Sequence, residues 1–145
     1  MGHTFSSSKN ITVSFEDMTD NIIRNPNIYL VINTLPIEEQ DCLIFNTISA
    51  EKEETLVNSY LSTNKHIFII VYGKNCNDTT IEKKYKQLIA LGFTKVHIYL
   101  GGMFEWILLQ DIYGRENFPT TEKYNGDAVT DILRFKPTKK IDLRK

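Results

Sequence analysis

The chain lacks the features that would place it outside the cell, across a membrane or on nucleic acid. Two cysteines in 145 residues, Cys42 and Cys76, are too few for a disulfide framework. With no secretory leader of basic start and apolar core, a reducing, cytoplasmic setting is expected. No apolar run approaches the roughly twenty residues that span a bilayer. A formal net charge of -1 at pH 7 argues against general nucleic-acid binding by the domain as a whole. The three histidines, His3, His66 and His97, have no ligand spacing, so no metal is expected, and no cofactor. Internal repeats and low-complexity tracts are absent. What remains is a chain of 41% hydrophobic residues, long enough to bury one sizeable core.

The most informative stretch is 67–106. Residues 67–72, Ile-Phe-Ile-Ile-Val-Tyr, form a continuous apolar, β-branched run, the pattern of a strand covered on both faces in a parallel sheet. A polar loop follows: Gly73, Lys74, Asn75, Cys76, Asn77 and Asp78. Thr79 and Glu82 have capping-box spacing, which predicts that a helix starts there. Ile81, Tyr85, Leu88 and Ile89 recur at helical spacing, and Gly92 stands where a left-handed C-terminal cap ends that helix near Leu91. Residues 96–100 make the next strand. Strand, helix and strand in this order predict a right-handed parallel crossover. Ligands of such sheets bind beyond the carboxyl ends of the strands, where the loop 73–78 lies.

These residues carry a resemblance. Val71-Tyr72, the six-residue loop, the helix, Leu91-Gly92-Phe93-Thr94-Lys95-Val96, then Leu100-Gly101-Gly102 and Trp106 resemble the second half of a rhodanese-like domain. The resemblance extends over 11–119 and implies an α/β fold: a single domain with a central, mainly parallel sheet flanked by helices. It implies three parts of the chain, an N-terminal segment 1–10, the domain 11–119 and a C-terminal extension 120–145.

The resemblance also exposes a departure. A sulfur-transferring rhodanese places a cysteine nucleophile directly after the aromatic end of this strand, in a loop that commonly runs Cys-x-x-Gly-x-Arg. In that register Gly73 stands at the cysteine position, Cys76 at the internal glycine and Asp78 at the arginine. The loop's task is to aim backbone N–H groups, with Thr79 and the helix start behind them, at an anionic sulfur species. A carboxylate at Asp78 opposes that by repelling anionic donors and disfavouring a thiolate. A phosphatase-type loop is excluded too, because the residue six positions after Cys76 is Glu82, not arginine. Cys76 remains the candidate nucleophile from a shifted position, near a helix N-terminus and two residues from Lys74. Set against this, the sequence supplies it no evident partner set.

Earlier in the chain, Ser14 and Asp17 have N-cap spacing, with Phe15, Met18 and Ile22 on one helical face before Asn25-Pro26. Residues 28–32 read as a buried strand. The Asn33-Thr34-Leu35 that follows lies where the family often has Asp-x-Arg, so a second charged tie is gone: Asn33 can still hydrogen-bond, but Leu35 cannot replace a guanidinium. Residues 42–47 read as a further strand. Ser49 can cap a helix through Leu61, with Leu56, Val57, Tyr60 and Leu61 as its apolar face. After Gly101-Gly102, residues 103–110 form an unusually apolar helix started by glycines that let the backbone pass close to the sheet. Trp106 reads as a core anchor rather than a stacking platform, in preference to a partner groove beside Phe104 and Trp106.

The termini supply a second theme. Residues 1–6, Met-Gly-His-Thr-Phe-Ser, fit the N-myristoylation pattern with Gly2 as the acylated residue, although His3 is an unfavourable neighbour. One acyl chain holds a membrane only marginally, so a second signal is needed. From 134 to 145 six basic residues face Asp142 alone, a net +5 that leaves -6 on the rest of the chain. Such a tail suits an anionic lipid surface, or folds onto its own acidic domain, or stays solvated. Residues 127–135 have the spacing of a short helix before Lys136-Pro137.

Three readings follow. One is a binding and interaction module for a protein partner yet to be identified, without sulfur transfer, held at a membrane periphery by Gly2 and the basic tail. Another is a sulfurtransferase or thiol enzyme using Cys76. The third is a structural component of a larger assembly.

Overall fold

The computed structural model describes residues 11–121. Four parallel strands form its single sheet: β1 (Thr12–Val13), β2 (Tyr29–Asn33), β3 (Phe68–Tyr72) and β4 (Val96–Tyr99), in the order β1-β4-β3-β2. Two long helices cross between the parallel neighbours, α2 (Ala50–Thr63) before β3 and α3 (Thr80–Leu91) before β4. A short first helix, α1 (Phe15–Asp17), widens into a looser turn over Met18–Ile22, and α4 (Gly102–Tyr113) follows β4. The expected α/β architecture with a parallel sheet flanked by helices is present.

Alternation along the strands sorts the core into two layers. Val31, Ile70, Tyr72 and Tyr99 face Met18, Ile22, Met103, Trp106 and Ile107 on one side of the sheet. Leu30, Ile32, Ile69, Val71, Val96 and Ile98 face Val57 of α2 and Ile81 and Leu88 of α3 on the other. This is why β3 is apolar throughout: both of its faces are covered, and its last four residues are buried. Trp106 is fully buried, edge-on to Tyr99 and Phe118, and its indole Nε1 donates to the Pro119 carbonyl at 2.9 Å. It is a core anchor.

Local chemistry sets most of the element ends. Ser14 and Asp17 form a reciprocal capping box, with the Ser14 backbone N–H donating to Asp17 Oδ2 at 2.9 Å and the Asp17 N–H to Ser14 Oγ at 3.2 Å. Gly92, at φ 113°, ends α3; its N–H donates to the carbonyl of Ile89 and that of Phe93 to Leu88, a Schellman-type close. The α2 helix starts after Ser49, which makes no side-chain cap bond, and runs two residues past Leu61. Likewise α4 continues three residues past Gln110. Of the α3 face, Ile81 and Leu88 are buried while Ile89 is exposed.

The segment 42–47 is not a strand. It touches the sheet only at single bridges, Thr47 parallel to Val31 and Ile44 antiparallel to Thr120, because Asn46 adopts a left-handed backbone, φ 70°, that breaks any ladder. Cys42, Leu43 and Ile44 are nonetheless buried, held by the Tyr72 hydroxyl, which accepts from the Ile44 N–H at 3.1 Å and lies 2.7 Å from Thr47 Oγ1. Burial keeps the Tyr72 phenol protonated far above its ordinary range, so the tie is a neutral one. Thr120 and Thr121 still pack on the body, the latter donating its N–H to the Leu43 carbonyl at 2.7 Å.

Candidate functional site

The loop 73–79 lies at the carboxyl end of β3, between the start of α3 and the start of α4. Its backbone is held from below by α4: the Met103 and Phe104 N–H groups donate to the carbonyls of Gly73 and Lys74 at 3.0 and 2.8 Å. The first N–H groups of that helix are thus spent on loop carbonyls. Gly102, at φ 64°, makes the approach possible, since a Cβ there would run into the Gly73 carbonyl.

Within the loop the organising group is Asp78. Its Oδ2 accepts the Lys74 backbone N–H at 3.0 Å, and its Oδ1 accepts both the Thr80 N–H at 3.0 Å and the Thr80 hydroxyl at 2.6 Å. Asp78, not Thr79, therefore caps α3. Thr79 has helical backbone angles and makes no side-chain cap bond, while Glu82 turns outward to an ion pair with Lys86 at 2.8 Å. A carboxylate one residue earlier outcompetes the hydroxyl for the free N–H of the first turn. Asn75 completes the loop by accepting the Asn77 N–H on its side chain at 2.9 Å and the Asp78 N–H on its carbonyl at 3.1 Å.

The same carboxylate governs position 73. A Cβ on Gly73 would stand 2.6 Å from Asp78 Oδ2, 2.8 Å from Thr34 Oγ1 and 2.9 Å from Ile81 Cγ1. The position that the resemblance would give to a cysteine has no room for any side chain unless its neighbours move. Thr34, after β2, closes the far wall: its N–H donates to the Tyr72 carbonyl at 2.9 Å and its hydroxyl oxygen lies 2.8 Å from that of Thr80. Asn33 is buried and shapes the turn, accepting the Leu35 N–H on Oδ1 at 2.9 Å, and Leu35 is buried in the core rather than facing the loop.

Outside this closed centre runs a shallow cleft of about 570 Å3 bordered by Thr34, Glu39, Lys74, Asn75, Asp78 and Thr80. Lys74 turns its ammonium to Glu39, 3.5 Å away, rather than to Cys76. The Cys76 thiol is exposed, with Asn77 Oδ1 its neighbour at 3.9 Å. Of the loop residues named from the sequence, Lys74, Asn75, Asn77 and Asp78 border the cleft together with Thr34, Pro36, Glu39 and Thr80, while Gly73, Cys76 and Thr79 lie apart from that lining. No group of three or more His, Cys, Asp or Glu converges among the described residues, and no helix among them is long and apolar enough to cross a membrane. Gly2 and the basic tail lie outside the described residues.

A second groove, about 350 Å3, opens at the opposite end of the strands between the first turn of the chain and the sheet, beside Thr12, Asp17, Asn21, Tyr29, Phe68 and His97. His97 Nδ1 is the one buried side-chain polar atom without a partner among the described residues. Burial pushes its pKa below the ordinary 6.5, against a weaker opposing hydrogen bond from the ring to the Lys95 backbone, so the neutral ring is favoured. No spacing in the sequence singled this residue out; its position shows only once β4 is laid beside Phe68.

No protein-family model and no curated protein matches the sequence. Among solved structures the chain is similar to the BH2092 protein from Bacillus halodurans, with 18% identity over 76% of this chain and 78% of that one and a TM-score of 0.57. It is similar to the Alr3790 protein from Anabaena sp. at 18% identity over 84% of this chain and 87% of that one, TM-score 0.52. The Rhodanese_3 like domain of that same Anabaena protein overlaps 65% of this chain and 99% of its own at 22% identity, with a TM-score of 0.45, too loose an overlap to add weight. At these identities the likeness is one of fold, and it agrees with the parallel sheet and the loop position described above: the chain has a rhodanese-like fold.

Proposed function

We propose that this protein is a binding module on a rhodanese-like scaffold, one whose sulfur-transfer loop is closed by its own carboxylate. The observation that carries the reading is the Asp78 side chain. It takes the Lys74 N–H, a donor that would otherwise be free for an anionic sulfur, and fills the space beside Gly73 where a nucleophile's Cβ would go. A negative charge already seated among these donors competes with thiosulfate or a persulfide for the same hydrogen bonds and repels them. The cleft outside offers amide and hydroxyl groups, the Lys74–Glu39 ion pair and the Asp78 carboxylate, a lining suited to polar segments of a partner rather than to a small anion.

The competing reading, sulfur transfer by a displaced Cys76, draws on the exposure of that thiol. A thiosulfate-to-cyanide assay on wild type and Cys76→Ala separates the two. The binding-module reading expects both to stay at the uncatalysed background, and turnover that disappears with Cys76 would overturn it.

A further inference from the structure

The groove at the amino ends of the strands has a chemistry that the loop 73–79 does not share. Along it runs a row of rings from three neighbouring strands, Tyr29 of β2, Phe68 of β3 and His97 of β4. The first pair lies 5.4 Å apart and the second 6.1 Å, centroid to centroid, with tilts of 40° and 31°. The element that covers this face of the sheet is short: three residues of α1 and the π turn Met18–Ile22. Met18 and Ile22 bury the middle of the face, and the three rings are left half-buried. Turns of this widened kind are frequent at functional sites.

We propose that this groove is a binding site for a small organic cation, a quaternary ammonium group being the simplest case. The chain's own side chain supplies the first argument. Lys95 stands two residues before His97 and so shares its face of the sheet, and its ammonium lies 4.6 Å from the centroid of the Phe68 ring, within the range of a cation–π contact. A ring that borders the groove therefore already holds a cation. The wall is the second argument. Asp17 borders the groove, with its Oδ2 fixed by the backbone N–H of Ser14, and Glu16 and Asp20 are exposed on the same short helix and turn. No basic residue stands between Thr12 and Ile23. The neutral His97 ring adds no opposing charge. Exclusion is the third. The carboxylates repel an anion, and an apolar ligand would strip water from Asp17 and Asn21 with no hydrogen bond in return. A volume of about 350 Å3 suits a small molecule. The groove lies at the opposite end of the strands from the loop 73–79, so this site does not depend on what the loop binds.

Amide NMR titration of the full-length chain tests the proposal, with tetramethylammonium chloride as the probe, tert-butanol as its neutral counterpart and sodium chloride as the ionic control. The cation is expected to shift the Asp17, Phe68 and His97 amides saturably and to leave those of 73–79 still. The alcohol is expected to bind about tenfold or more weakly, since it lacks the charge. Phe68→Leu and Asp17→Asn should each weaken binding of the cation about threefold or more, and Lys95→Ala should strengthen it about twofold to fivefold by removing the internal competitor. The amides of Val71 and Tyr72 report in the same spectra that each variant is folded. Absence of saturable shifts at the groove overturns the proposal. So do equal responses to the cation and the alcohol, or binding that weakens in Lys95→Ala.

Discussion

The two ends of β3 are built from different kinds of information. Its body is fixed by bulk burial: Ile69, Ile70, Val71 and Tyr72 are apolar on both faces because α3 covers one and α4 the other. Many sequences satisfy that requirement, which is why the scaffold is shared with proteins at 18% identity. The loop immediately after Tyr72 rests on single atoms. One carboxylate, Asp78, accepts three hydrogen bonds and, with Thr34 and Ile81, crowds the space at Gly73. Scaffold substitutions should therefore change stability and leave the loop's chemistry alone, whereas loop substitutions should change chemistry at modest cost in stability.

The largest expected effect is on the scaffold. Trp106→Ala removes a fully buried ring and its bond to Pro119, and should lower the unfolding free energy by about 3–5 kcal/mol in urea titration. Gly102→Ala, at φ 64° against the Gly73 carbonyl, should cost about 1–3 kcal/mol. It breaks the comparison in an informative way, because the strain falls on the joint between α4 and the loop. Gly73→Cys places a thiol at the position aligned with the family nucleophile; it should cost about 1–3 kcal/mol by overpacking and carry no sulfur. Combined with Asp78→Gly the loss should shrink, and urea titrations of the single and double variants measure that coupling.

Asp78→Asn is expected to cost about 1–2 kcal/mol, the weakening of charge-assisted bonds to Lys74 and Thr80. Amide NMR should then show the Lys74 and Thr80 N–H signals moving on addition of thiosulfate, while in the wild type they stay still. The smallest effect concerns His97. The unfolded chain takes up a proton through pH 6.5, whereas the folded chain holds the ring neutral to lower pH. The stability contribution is therefore complete above 6.5 and declines as the pH falls through that value toward the depressed one. Thermal melts of His97→Gln should show a flatter decline across that window.

The parts legible in the sequence were those governed by pattern. The apolar run of β3, the Ser14–Asp17 box, the Gly92 stop and the strand-helix-strand order around the loop all follow from spacing, and the structure holds them. Residues 42–47 were misread because burial of Cys42, Leu43 and Ile44 looks the same in sequence whether it arises in a ladder or in a loop turned by Asn46. Asp78 was visible as a charge of the wrong sign. Its inward fold onto Lys74 was not, since residue identity does not say which N–H a carboxylate will choose, and the expected Thr79 cap lost to it. The open face of α4, with Phe104, Leu108 and Ile112 exposed, was hidden for the opposite reason: a helix apolar on every side gives no periodicity to say which side is inside.

The most direct test of the closed-loop account is intact-mass spectrometry of the purified chain after incubation with thiosulfate. The account expects the unmodified polypeptide mass alone, in wild type and in Cys76→Ala alike. A sulfur-atom increment on the wild type that is missing from Cys76→Ala would show that the loop still accepts sulfur, with Asp78 in place.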